Sequence, residues 1–70
     1  MMMEDSLDQR VLRAIRNGHI WFSAIDTNAR RPSDGGFRAT DRVLQRLRRN
    51  GVLTFTRKTG WAVAAPANGA

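Results

Sequence analysis

The sequence predicts a small α+β domain: three helices, a short strand and a C-terminal β-hairpin. Three observations predict it. Aliphatic residues recur with helical spacing in two segments, and each segment closes on Asn-Gly, at Asn17-Gly18 and Asn50-Gly51. A run of turn-forming residues, "RPSDGG" at 31–36, sets the third helix apart from what precedes it. Beyond Gly51, "VLTFTR" and "WAVAA" are β-branched and aromatic runs on either side of "KTG".

The first helix is announced by Ser6 with Gln9 three residues on, a capping-box pattern, and by Asp8 in the first turn, where the helix dipole favours negative charge. Leu7, Val11, Leu12 and Ile15 fall within an arc of about 140°, which makes them the core face and leaves Arg10, Arg13 and Arg16 opposite, in water. Gly18 supplies the left-handed conformation that ends such a helix. "HIWF" (19–22) is short, apolar and bounded by Gly18 and Ser23, and reads as either a brief strand or an extended packing segment. Ser23 with Asp26 repeats the capping pattern, so "AIDTNAR" reads as a short second helix that stops before Pro32.

The third helix is expected from Phe37 to Asn50, with Val43, Leu44 and Leu47 inward. Taking Arg38 as zero, Arg49, Arg42 and Arg46 lie at about 20°, 40° and 80° and Gln45 at about −20°, opposite the aliphatic trio at about 140° to 240°. In the hairpin, Gly60 fits the left-handed position of a three-residue loop, and Leu53 and Phe55 alternate with Thr54 and Thr56 between a packed and an exposed face. The expected core is Leu7, Val11, Leu12, Ile15, Ile25, Val43, Leu44, Leu47, Leu53, Phe55, Trp61 and Val63. Residues 6–65 form the expected domain, with disordered flanks at 1–5 and 66–70.

Composition narrows the function classes. A chain of 70 residues makes one small domain that buries only about 60% of its unfolded surface. With no cysteine and one histidine, His19, neither disulfides nor a thiolate metal site can support the fold, and no metal or other cofactor is expected. No apolar run is long enough to cross a membrane, and acids stand where a secretory signal would carry basic residues, so the expected location is the cytoplasm. Glu4, Asp5, Asp8, Asp26, Asp34 and Asp41 lie at helix starts and turns, where capping accounts for them. No nucleophile motif, phosphate-cradling glycine loop or ligand cluster accompanies them, so no enzyme is expected.

Charge is distributed unevenly. The net +6 comes from 12 Lys and Arg against 6 Asp and Glu. Residues 1–29 hold three arginines and four acids, a net of −1, whereas residues 30–58 hold nine Lys and Arg against Asp34 and Asp41, a net of +7. A patch of that kind suits a polyanion, because each phosphate neutralised releases condensed counterions.

The order of elements, and "VLQRLRRNGVL" running into "TFTRKTGW", resemble the winged helix-turn-helix family over about residues 6–65. The resemblance implies a third helix in the major groove of double-stranded DNA and a hairpin, the wing, on the flanking backbone. Carried over residue by residue, Arg38, Asp41, Arg42 and Gln45 face base edges, Thr40 lies near a phosphate, and Arg57, Lys58 and Thr59 sit at the wing tip. Arg and Gln each make two hydrogen bonds to one purine edge, which suits that role. Arg30 and Arg31 are secondary phosphate candidates. Arg46 and Arg49, toward the helix end, serve either phosphate contact or the helix dipole. The seven-residue "RRPSDGG" departs from the family's shorter turn, and a loop of that length is itself a candidate contact surface.

Other aromatic roles carry less. Trp21 and Trp61 as stacking platforms for single strands compete with the need of so small a domain for large core side chains, and Phe22, Phe37 and Phe55 are expected in the core. His19 is expected at the surface. Two binder classes follow. One is a DNA-binding transcriptional regulator, a repressor or accessory regulator, acting as a homodimer. The other is a small phage-type, anti-CRISPR-like winged helix that docks on a host protein or nucleoprotein complex and inhibits it.

Overall fold

The computed structural model describes residues 6–64; the expected flanks at 1–5 and 66–70 lie outside them. The architecture is α+β: α1 (Leu7–Arg16), α2 (Phe22–Ala29), a single 3-10 turn (Pro32–Asp34), α3 (Phe37–Arg49), β1 (Leu53–Thr56) and β2 (Gly60–Val63). Three helices followed by a two-stranded antiparallel hairpin give the arrangement of a winged helix.

α1 starts as its sequence demands. Ser6 Oγ accepts from the Gln9 amide at 3.2 Å, and Gln9 Oε1 accepts from the Ser6 amide at 3.3 Å, closing the capping box. Both Asn-Gly pairs end their helices alike. The His19 amide donates to the Ala14 carbonyl and the Gly18 amide to Ile15, and Val52 and Gly51 repeat this on Leu47 and Arg48. Each is a Schellman motif, which satisfies carbonyls that a helix end otherwise leaves bare.

The strand expected at 19–22 is not formed among the described residues. α2 starts at Phe22, with Trp21 extended at the cap position and no side chain capping the helix, so the pairing of Ser23 with Asp26 is not used. Starting two residues early puts Phe22, Ile25 and Ala29 on the inner face at helical spacing and frees Asp26 for contacts elsewhere. What remains of the strand is one hydrogen bond, from the Trp61 amide to the Ile20 carbonyl at 2.7 Å.

The core joins Val11, Ala14 and Ile15 of α1, Ile25 and Ala29 of α2, Val43, Leu44 and Leu47 of α3, Leu53 of β1 and Trp61 of β2. Leu7, Leu12, Phe22 and Phe55 pack against it while half-buried. Two expectations fail. Val63 shares a face with its cross-strand partner Leu53 but is the last residue of β2, at the margin of the core, and is 37% exposed. Phe37 has nearly the azimuth of Leu44 but lies about 10 Å nearer the helix start, beyond the core, and is 57% exposed.

The hairpin pairs Leu53 with Val63, Thr54 with Ala62, Phe55 with Trp61 and Thr56 with Gly60, so the three-residue loop is Arg57, Lys58 and Thr59, one residue earlier than the expected "KTG", and Gly60 begins β2 with its expected positive φ. Thr56 Oγ1 accepts from the Thr59 amide at 2.9 Å and tightens that loop. Phe55 stacks obliquely on Trp61 with ring centroids 5.0 Å apart and meets Trp21 edge-on at 6.3 Å. Gly60 has a φ of +71°, and a Cβ there would stand 2.5 Å from the Ile20 carbonyl oxygen.

Leu47→Ala is expected to cost about 2 to 5 kcal/mol, a large share of the stability of so small a domain, measured as a lower melting temperature. Gly60→Ala should destabilise more than Gly51→Ala. Both positions have positive φ, worth roughly 1 to 2 kcal/mol of strain for alanine, but only Gly60 also collides with backbone. Equal melting temperatures for the two glycine variants would show that the contact with Ile20 contributes nothing.

Candidate nucleic-acid interface

α3 is held at its start by two linked polar contacts. Arg30 Nε and Nη2 grip the two carboxylate oxygens of Asp26 at 2.7 and 3.2 Å, and Thr40 Oγ1 donates to Asp26 Oδ1 at 2.7 Å. Thr40 is fully buried. Its hydroxyl is therefore spent inside the domain, and the expected phosphate contact from it is corrected. Arg30, likewise expected on phosphate, is half-buried in this pair.

The turn ahead of α3 is anchored separately. Arg10 is buried, donating from Nε to the Ala29 carbonyl at 2.9 Å and from Nη2 to Asp34 Oδ2 at 2.7 Å. The same Asp34 oxygen accepts the Arg31 amide at 2.7 Å. Arg10 was expected in water; it sits at the flank of the α1 core arc beside Ala14, where the small side chains of Ala14 and Ala29 leave room for its stem. Asp26 therefore does not cap but ties α2 to Thr40 of α3, and Asp34 ties α1 to the turn that leads into α3.

On the outer face of α3 the sequence pattern holds. Arg38, Asp41, Arg42, Gln45, Arg46, Arg48 and Arg49 are all exposed. The structure then divides the arginines. Arg46 forms an ion pair with Asp8 of α1. Among the described residues, Arg38, Arg42, Arg48 and Arg49 have no ion pair. Arg57, Lys58 and Thr59 are exposed in the hairpin loop, with the Thr59 hydroxyl against that of Thr56 at 2.6 Å. Arg31 is exposed, and its charge helps to hold the Asp34 carboxylate low.

One position was given no role in the sequence reading, Arg48, and two aromatics weighed there as core side chains stand exposed, Phe37 and Trp21. Arg48 completes the unpaired set at the edge of the stripe. Phe37 begins α3 as an exposed aromatic, and Trp21 is 46% exposed at the start of α2. The helical azimuth of Arg48, about −80° from Arg38, was the signal for the first; the exposure of the aromatics depends on where neighbouring elements end. His19, expected at the surface, is half-buried.

No group of acids and histidines among the described residues could hold a metal ion, and no described helix is long and apolar enough to cross a membrane.

The carboxyls of Asp26 and Asp34 lie below the ordinary range, Asp26 chiefly through the Arg30 hydrogen bonds and Asp34 chiefly through the Arg31 amide. Folding therefore favours the charged forms, and this contribution is complete above the unfolded carboxylate range near pH 4 and lost as pH falls through the lowered values. The melting temperature should hold from neutrality to about pH 4 and fall below it, with a shallower fall in Asp26→Asn and Asp34→Asn. An acid profile identical in both variants and the parent would show that these pairs contribute nothing to stability.

No protein-family model, curated protein or solved structure matches the chain.

Proposed function

We propose that the protein is a DNA-binding transcriptional regulator of the winged helix-turn-helix type, a repressor or accessory regulator. The observation that carries this reading is the division among the arginines. Arg10, Arg30 and Arg46 are taken by internal pairs, whereas Arg38, Arg42, Arg48 and Arg49 stand exposed around Gln45 on one helix with no ion pair among the described residues. Solubility alone gives no reason for that many unpaired guanidiniums on a single face, since acids serve it at least as well. Guanidinium groups match purine edges and phosphates bidentately, which is the chemistry of duplex recognition.

In this reading α3 enters the major groove with Arg38, Asp41, Arg42 and Gln45 toward the base edges. Arg46 is held back by Asp8, and Arg49 reaches phosphate. Arg57 and Lys58 meet the flanking backbone. A single module of this kind buries about 600 to 1,000 Å² against DNA, so a homodimer reading two half-sites supplies the affinity one copy lacks. The natural setting is the cytoplasm.

A second reading has support of its own. Phe37 and Trp21 are exposed aromatics, and aromatic residues with arginine are enriched where proteins dock on proteins. An inhibitor of a host nucleoprotein complex would use them on a protein surface.

Duplex binding should be strongly salt-dependent, with a slope of log affinity against log salt near −5 for about six phosphate contacts. Arg42→Ala should cost about 1 to 3 kcal/mol on a selected duplex and less on a scrambled one, because a base contact carries sequence information. Lys58→Ala should weaken both equally and lower the salt slope by about one. Binding titrations at several salt concentrations check both. Identical behaviour of the two variants would make the stripe unspecific electrostatic attraction, and absence of binding at low salt would leave the protein-docking reading.

A further inference from the structure

We propose that the hollow between α1, α2 and the chain that follows α2 is a binding site for a small, multiply charged anion of the phosphate class. The site is separate from the outer face of α3. The hollow holds about 300 Å³, the lower end for small-molecule sites. Arg10, Arg13, Arg30 and Arg31 line it together with His19, and none of its lining residues belongs to α3 or the hairpin. Among the described residues that line it there is no carboxylate.

Both α1 and α2 end at this hollow, and helix carboxyl ends bear partial negative charge that repels anions. Here those ends are already met by donors. The His19 and Gly18 amides close α1. On α2, the Arg30 amide donates to the Asp26 carbonyl at 3.0 Å and Arg10 Nε to the Ala29 carbonyl at 2.9 Å. The charge of Arg31 is consequently not needed to neutralise a helix end. Arg30 grips Asp26 through Nε and Nη2, which leaves Nη1 outside that fork. A phosphate group, with several acceptor oxygens, matches guanidinium donors arriving from different elements, whereas chloride offers one centre and no bidentate geometry.

The hollow also adjoins the contacts that hold α3. Arg30 leads through Asp26 to Thr40, and Arg10 leads to Asp34. An anion seated on Arg30 and Arg31 is therefore felt at the start of α3.

Pyrophosphate is the probe, titrated into the whole chain at an ionic strength held near 0.15 M with sodium chloride and followed by amide NMR shifts. The expected result is saturable shifts centred on His19, Asn28 and Arg31, with a smaller response at Thr40. Arg31→Ala, an exposed position whose charge is the smallest of the influences on Asp34, should leave the chain folded with at most a small loss of melting temperature and weaken pyrophosphate about tenfold, the loss of one charge-assisted contact. Arg42→Ala should leave pyrophosphate binding as it was. Duplex DNA in place of pyrophosphate should leave His19 and Asn28 unmoved. Shifts that do not saturate, equal weakening by Arg31→Ala and Arg42→Ala, or the same His19 and Asn28 shifts from DNA would each overturn a separate site. The DNA reading stands or falls on α3 and the hairpin loop, so the two failures are distinguishable.

Discussion

The buried guanidinium of Arg10 is the contact on which the placement of everything after α2 depends. It reaches from α1 to the last carbonyl of α2 and to Asp34 in the turn, so one side chain joins the first helix, the end of the second and the segment leading into the third. A buried charge is tolerated only when its donors are met, and here a carbonyl and a carboxylate meet them. Removing it would leave the Ala29 carbonyl without its side-chain donor and the Asp34 carboxylate without its closest cation. The seven-residue turn is consequently not slack. Arg10, through Asp34, fixes its middle, and Asp26, through Thr40, fixes the start of the helix beyond it.

The arginines of this chain have two kinds of work, and the acids decide which. Asp34, Asp26 and Asp8 each take one arginine, from α1, from the residue that follows α2 and from α3 respectively. Asp41 lies exposed within the α3 stripe and takes none among the described residues. The α3 arginines left over are those that a polyanion would meet. The chain's formal charge thus overstates the charge that can face a partner, and the distribution of its partners matters more than its sum.

The hairpin is joined to the helices through backbone as much as through side chains. Gly60 lets β2 approach Ile20 closely enough for the Trp61 amide to reach the Ile20 carbonyl, and the indole of Trp61 then fills the core beneath. Phe55 and Trp21 continue the aromatic contact outward to solvent. The basic loop is therefore carried on a hairpin held at both ends, at its base by the end of α3 through the Gly51 motif and beside the loop by the chain at Ile20.

The sequence by itself determined what is local. The Ser6 box, the two Asn-Gly helix ends, the hairpin loop with Gly60, and the inward face of α3 with its arginines opposite all depend on spacing within a few residues, and short-range geometry fixes them. Only the tertiary structure decided the fate of residues whose partners are distant in the chain. Arg10, on the flank of its helix, is buried because Ala29 and Asp34 lie 19 and 24 residues away. Thr40 lies at about 200° from Arg38, inside the aliphatic arc, so periodicity already turns it inward; what only the fold supplied is its partner Asp26, 14 residues back, and for Arg46 the partner Asp8, 38 residues back. Phe37 and Val63 have core azimuths and remain exposed, since burial requires a neighbouring element to extend that far, and periodicity says nothing of where neighbours stop. The strand expected at 19–22 failed for a related reason: helix α2 gained an inner residue by starting at Phe22, and that gain is visible only once the core it joins exists.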